Sequence, residues 1–249
     1  MKRMIRILPF VLLTLFMGGN LYADSLGDLF GGGSIVAGDK LFDSWQLISY
    51  DSSDATRSFD AFNIEVTPLD DGGLNPGPGL QFDVLNNELT VIGDGILAYV
   101  DLTFAFRVSV LDSNMAITGS SLEFLPGGAF LGWTVDDSYD LGNYIFETVG
   151  SEAGLSDLGT EEIEFSVSKL PGTTEDFLVE ISDSLTFASQ NEIWITKNIY
   201  VWAADATDTA GTYRFGQRFA QTAVPEPSTL LLIGLGVAGL AFLRASRKL

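Results

Sequence analysis

Along the middle of the chain apolar side chains recur at every second position. Val100, Leu102, Phe104, Phe106, Val108 and Val110 alternate with Asp101, Thr103, Ala105, Arg107 and Ser109. Shorter runs repeat the pattern: Phe62, Ile64 and Val66; Leu80, Phe82 and Val84; Ile163, Phe165 and Val167. Tyr213, Phe215 and Phe219 share one face near the end of the region. A period of two gives each strand one dry and one wet face, the pattern of antiparallel rather than buried parallel sheets. Asp71-Gly72-Gly73, Asn75-Pro76-Gly77-Pro78-Gly79, Asn86-Asn87, Gly93-Asp94-Gly95, Pro126-Gly127-Gly128 and Pro171-Gly172 supply turns between the strands. No amphipathic helix of ordinary length interrupts them. The expected fold is all-β, a single antiparallel β-sandwich or jelly-roll-like domain over residues 34–221. Residues 24–33, which include Gly31-Gly32-Gly33, read as a flexible lead-in.

The two ends follow a different pattern. Lys2, Arg3 and Arg6 precede an apolar run from Ile7 to Met17, and Ala23 stands before Asp24. A basic start, a run too short to span a bilayer and a small residue at the boundary describe a secretory signal peptide over residues 1–23, cleaved after Ala23. At the other end come Val224, Pro225, Glu226 and Pro227, an uncharged stretch over 228–243, then Arg244, Arg247 and Lys248. As a helix that stretch extends about 24 Å. This is short for a hydrocarbon core of ~30 Å; Pro227 and Ser228 extend it outward and Arg244 snorkels, but the helix remains short. The basic cluster acts as a stop-transfer signal and stays on the cytoplasmic side. Pro225 and Pro227 fix φ and lack amide hydrogens, which keeps this segment extended and within reach of a protease.

Residues 222–249 resemble the PEP-CTERM sorting signal of Gram-negative bacteria. The likeness rests on Val224-Pro225-Glu226-Pro227, the short apolar segment that follows, and the basic cluster at Arg244, Arg247 and Lys248, in that order at the chain end. It implies recognition by an exosortase, an integral-membrane transpeptidase-like protein. The chain would be exported through the inner membrane and anchored there by its C-terminal transmembrane helix. The tail would then be removed near Pro-Glu-Pro, leaving the protein at the cell surface or secreted. It also implies association with exopolysaccharide and biofilm. The middle of the chain, with Gly38-Asp39-Lys40 and Gly77-Pro78-Gly79-Leu80, is more loosely similar to β-rich domains that carry such tails.

Composition narrows the chemistry. The 249 residues include no histidine and no cysteine. Ser-His-Asp and Cys-His catalysis, Cys/His zinc sites and disulfides are therefore excluded. Of the 33 acidic side chains 32 lie between the two terminal signals, against seven of the 13 basic ones. Such a surface repels nucleic acid and anionic lipid and attracts cations. Asp136, Asp137 and Asp140 form the densest acidic turn and are the candidate ligands for a structural calcium ion, the only cofactor suggested. A carboxylate pair could in principle serve a glycoside hydrolase, but no motif singles one out. Trp194, Tyr200 and Trp202 share one parity of the segment 191–204, while Ile193, Ile195, Ile199 and Val201 take the other. If the aliphatic parity faces the core, the aromatic one is a candidate glycan-binding platform; the alternative is that a neighbouring loop buries it too.

The reading that follows is an exported, acidic, non-enzymatic surface or matrix protein, with an exosortase and exopolysaccharide as partners and no nucleic acid. The alternatives are a calcium-assisted carbohydrate-binding module and a carboxylate hydrolase.

Overall fold

The computed structural model describes residues 23–134 and 138–224. The expected signal peptide, but for Ala23, and the expected transmembrane segment over 228–243 lie outside them. Among the described residues no helix is long and apolar enough to cross a membrane.

In chain order the elements are β1 (Asp24–Ser25), α1 (Leu26–Phe30), β2 (Ile35–Ala37), β3 (Lys40–Ser52), β4 (Ile64–Leu69), β5 (Gly79–Val84), β6 (Thr90–Ile92) and β7 (Ala98–Val110). Then follow β8 (Met115–Phe124), β9 (Ala129–Gly132), β10 (Tyr139–Gly150), β11 (Gly159–Lys169), β12 (Asp176–Glu180), β13 (Ser182–Gln190), β14 (Glu192–Ala203), β15 (Thr209–Thr212) and β16 (Arg214–Ala223). One sheet runs β1-β4-β5-β16-β8-β13 and the other β12-β11-β10-β14-β7-β3-β2, with antiparallel pairing throughout. A third small sheet, β6-β15-β9, packs against β10, β14 and β7. The chain is thus all-β, with the layers of a β-sandwich.

Phenylalanines dominate the interior. Phe82 on β5 stacks on Phe215 of β16 at 4.6 Å and meets Phe104 of β7 across the core at 5.9 Å. Phe42 on β3 meets Phe219 of β16 at 5.6 Å, again from sheet to sheet. Trp45 stacks on Phe106 at 4.4 Å. It reaches the core because β3 is bulged: Ser44 takes a positive φ of 55° and the register with β7 shifts between Asp43 and Gln46.

Two expectations are corrected here. Residues 24–33 are not a flexible lead-in. Asp24 and Ser25 pair with Val66 and Glu65 of β4, and α1 follows directly. The Ser25 hydroxyl accepts from the Asp28 amide as an N-cap, while Leu26 and Leu29, three apart on one helical face, are fully buried. Phe62 does not extend β4 either. It lies in a 3-10 turn at Ala61–Asn63 and is 62% exposed. Its ring covers Gly27 at a distance that leaves little room for a Cβ.

The core also contains charge. Glu147 on β10, Lys197 on β14 and Gln217 on β16 are fully buried, as is Glu161 on β11 to within 1%. Lys197 pairs with Glu147 and donates to Gln217 Oε1 at 2.6 Å, while Gln217 Nε2 donates to the other Glu147 oxygen. Glu161 faces Glu147 across β10 and β11 and accepts from the Ser120 hydroxyl.

Candidate glycan-binding face

The outer face of the seven-stranded sheet is built by strand parity. On β14, Ile193, Ile195, Ile199 and Val201 are buried, so Trp194, Thr196, Asn198, Tyr200 and Trp202 point away from the core and are partly exposed. Cross-strand register then decides which aromatics meet. Trp202 lies between Tyr99 of β7 and Gly142 of β10. Tyr200 lies between Asp101 and Tyr144, and the next row places Asn198 between Thr103 and Phe146. The rings touch: Tyr200 stacks on Trp202 at 5.5 Å, Tyr99 meets Tyr200 at 5.8 Å, and Tyr144 stacks on Phe146 at 6.3 Å.

Hydrogen bonds fix the polar edges of these rings. The Trp202 indole donates to Asp140 at 2.9 Å, Tyr99 to Asp51 at 2.9 Å and Tyr144 to Glu162 at 3.1 Å. Asn198 donates to both Asp101 and Thr103. Gly142 gives the indole its seat: a Cβ there would stand 2.4 Å from Trp202 Cη2 and 2.6 Å from the Ser166 Cβ. Burial, then the bond to Glu162, pushes the Tyr144 hydroxyl up to about 12. The bond to Asp51 raises Tyr99, and burial beside Asp101 and Asp140 raises Tyr200. All three stay neutral phenols at physiological pH.

The structure divides the sequence-predicted trio. Tyr200 and Trp202 belong to one patch. Trp194 shares their face but lies eight positions from Trp202, about 27 Å along an extended strand. It stands between Arg107 and Gly150 instead. Arg107 there forms a two-pronged pair with Asp43 at 2.8 and 2.9 Å, which holds the Asp43 carboxyl below its ordinary range. Tyr99, Tyr144 and Phe146 are the members that sequence reasoning missed. Each occupies the polar parity of its strand, but the pairing that assembles them is not readable from one strand.

Of the candidate calcium ligands, Asp140 is exposed on β10 and engaged by the Trp202 indole, while Asp136 and Asp137 lie outside the described residues. Among the described residues no group of three or more acidic side chains is arranged around a metal position. Other acidic turns have local partners. Asp94 accepts from the amides of Ile96 and Leu97, and Asp71 pairs with Arg218 at 2.7 Å.

β16 ends at Ala223, and the Val224 amide donates to the Asn114 carbonyl at 2.7 Å. At that end of the strand the family profile described as the PEP-CTERM protein-sorting motif begins, matching residues 223–248. The chain carries a PEP-CTERM sorting motif. That motif is the recognition signal of an exosortase, and it marks an exported protein held at the membrane by its C-terminus before processing. Pro225, Glu226 and Pro227, with the basic cluster at Arg244, Arg247 and Lys248, lie outside the described residues.

A search of the curated proteins returned no match. Solved structures similar to this chain include TmCBM61 in complex with beta-1,4-galactotriose, at 12% identity, covering 73% of this chain and 89% of that one with a TM-score of 0.21. The enzymatically active domain of bacteriophage CBA120 tailspike protein 4 is 11% identical, covering 72% and 19% with a TM-score of 0.20. A cellulase derived from Cel12A of Rhodothermus marinus is 9% identical, covering 72% and 99% with a TM-score of 0.22. At these scores the likenesses carry no argument about function.

Proposed function

We propose that the mature protein is a non-enzymatic exported surface or matrix protein that holds a neutral extracellular polysaccharide against the outer face of its seven-stranded sheet. The observation that carries this reading is the contiguous patch of Tyr99, Tyr144, Phe146, Tyr200 and Trp202, part-exposed on a rigid sheet. Pyranose rings present flat C–H faces that stack on aromatic rings, and their hydroxyls donate to carboxylates. Asp51, Asp101, Asp140 and Glu162 already fringe the patch as acceptors. Their charge disfavours an anionic polymer and leaves a neutral one as the matching ligand.

Affinity electrophoresis through gels containing the neutral exopolysaccharide fraction of the producing cells tests the proposal. Wild-type protein should be retarded, Trp202→Ala and Tyr200→Ala should migrate nearly freely, and Trp194→Ala should behave as wild type. Equal retardation of all four proteins would end the idea of an aromatic platform.

A further inference from the structure

We propose that Lys197 and Gln217 form an intramolecular amide cross-link, with Glu147 as the acid–base catalyst, joining the two sheets of the sandwich covalently. The reactants are already assembled. The Lys197 amine donates to Gln217 Oε1 at 2.6 Å, so with a carbonyl bond of about 1.23 Å its nitrogen is at most ~3.8 Å from the amide carbon. That approaches the separation of ~3–3.5 Å at which bound groups react. Glu147 holds one oxygen on the Lys197 nitrogen and the other on Gln217 Nε2, the leaving nitrogen. The amide can face only this way: reversed, its NH2 would confront the ammonium and its carbonyl the carboxylate.

The site is dry. All three side chains are fully buried, and the Phe215 ring lies 5.5 Å from the Lys197 nitrogen. Exclusion of water prevents hydrolysis of the amide and strengthens the electrostatic interaction with Glu147. The charged groups facing the site are Glu161 of β11 and, through it, Asp183 of β13. Burial and the neighbouring Glu147 charge push Glu161 up to about 9. It is therefore neutral at physiological pH and does not compete with Glu147 for Lys197, which pairs with Glu147.

The reaction balances without a further reactant. A proton passes from the Lys197 ammonium to Glu147, and the freed amine attacks the Gln217 amide carbon. Glu147 returns its proton to Nε2, the carbon–Nε2 bond breaks, and ammonia leaves. The new amide nitrogen gives its surplus proton to Glu147. A buried ion pair, expensive to desolvate, becomes a neutral amide beside a neutral acid. For a chain without cysteine, bound for a compartment where disulfides normally serve, this is an alternative covalent staple.

A second pair supplies an internal control. Lys40 is fully buried and donates to Gln221 Oε1, with Asp39 on the same amine at 2.6 Å. There the carboxylate touches only the amine, and Gln221 Nε2 points to the Gly73 carbonyl at 3.5 Å. Among the described residues no carboxylate bonds the leaving nitrogen, so this pair should stay open.

The test is a tryptic map by mass spectrometry of the protein isolated from the producing cells. Cross-linked protein yields residues 170–214, uncut at Lys197, branched to residues 215–218 and lighter by one ammonia. The linear peptides 170–197, 198–214 and 215–218 should be missing. Recovery of those linear peptides in full would overturn the proposal, and this wild-type result decides it whether or not any variant folds. Glu147→Gln, which keeps the shape and loses the acid, should give linear peptides. A branched peptide in that variant would remove Glu147 from the chemistry. A second branched peptide joining Lys40 to Gln221 would contradict the role assigned to the bridging carboxylate.

Discussion

Substituting Gly142 with alanine tests the glycan-binding face without deleting any of its aromatics. The new Cβ would stand 2.4 and 2.5 Å from two atoms of the Trp202 ring and 2.6 Å from the Ser166 Cβ. Carbon atoms settle at about 3.5–4.0 Å, so the indole must move by roughly 1 Å or swing out. Either movement disturbs its 2.9 Å hydrogen bond to Asp140 and its stack on Tyr200. An aromatic stack contributes about 0.5–1.5 kcal/mol beyond its area burial. Losing one against a sugar weakens affinity by about twofold to just over tenfold. Crowding a sheet surface should cost stability at the low end of the range for overpacking, about 1 kcal/mol. Isothermal titration with the neutral exopolysaccharide fraction, alongside Trp202→Ala and thermal melts of each variant, measures both quantities. Wild-type affinity in Gly142→Ala and in Trp202→Ala, with all proteins folded, would refute the assignment of Trp202 to a binding surface.

The remaining predictions concern the fold. Phe82→Ala removes one of the rings that join the two sheets and should destabilise the domain by about 3–5 kcal/mol in urea unfolding. Glu161 binds a proton in the folded chain that the unfolded chain releases near its ordinary value of 4.5. Its contribution is fully present below that pH and lost as pH rises through about 9. The melting temperature should therefore fall across this window, and Glu161→Gln should flatten the fall. Glu147, Lys197 and Asp183 face this carboxyl, but burial is the first cause of its shift, so the direction holds. Asp43→Asn should cost no more than about 1 kcal/mol at neutral pH, because its pair with Arg107 is partly solvated. That difference should vanish on acidification, as the lowered Asp43 carboxyl takes up its proton; a chemical-denaturation series in pH reads it.

Much of this was legible in the alternation of β7 and β14, where the residues assigned to the dry face are buried except Val110, which is partly so, while Ala105 of the wet parity is buried as well. The bulge of β3 was not, because Ser44 at positive φ moves Trp45 onto the parity that Phe42 would otherwise own. The Trp194, Tyr200 and Trp202 trio shared a face as expected, but a shared face is not a shared site. Strand rise separates Trp194, while register brings in Tyr99 and Tyr144 from strands distant in sequence. The polar cluster left a signal that went unread. Lys197 occupies the aliphatic parity between Ile195 and Ile199, and Glu147 stands between Ile145 and Val149 in the same sense. A charged residue at a dry position of a strand predicts a buried partner, though not which one.

A domain that never leaves the cytoplasm has no exopolysaccharide to hold, so the most direct measurement is the intact mass, with terminal sequencing, of the protein taken from its own cells. Export and exosortase processing predict an N-terminus at Asp24, where β1 begins, and a C-terminus near Pro227. A chain still starting at Met1 and ending at Leu249 would contradict them.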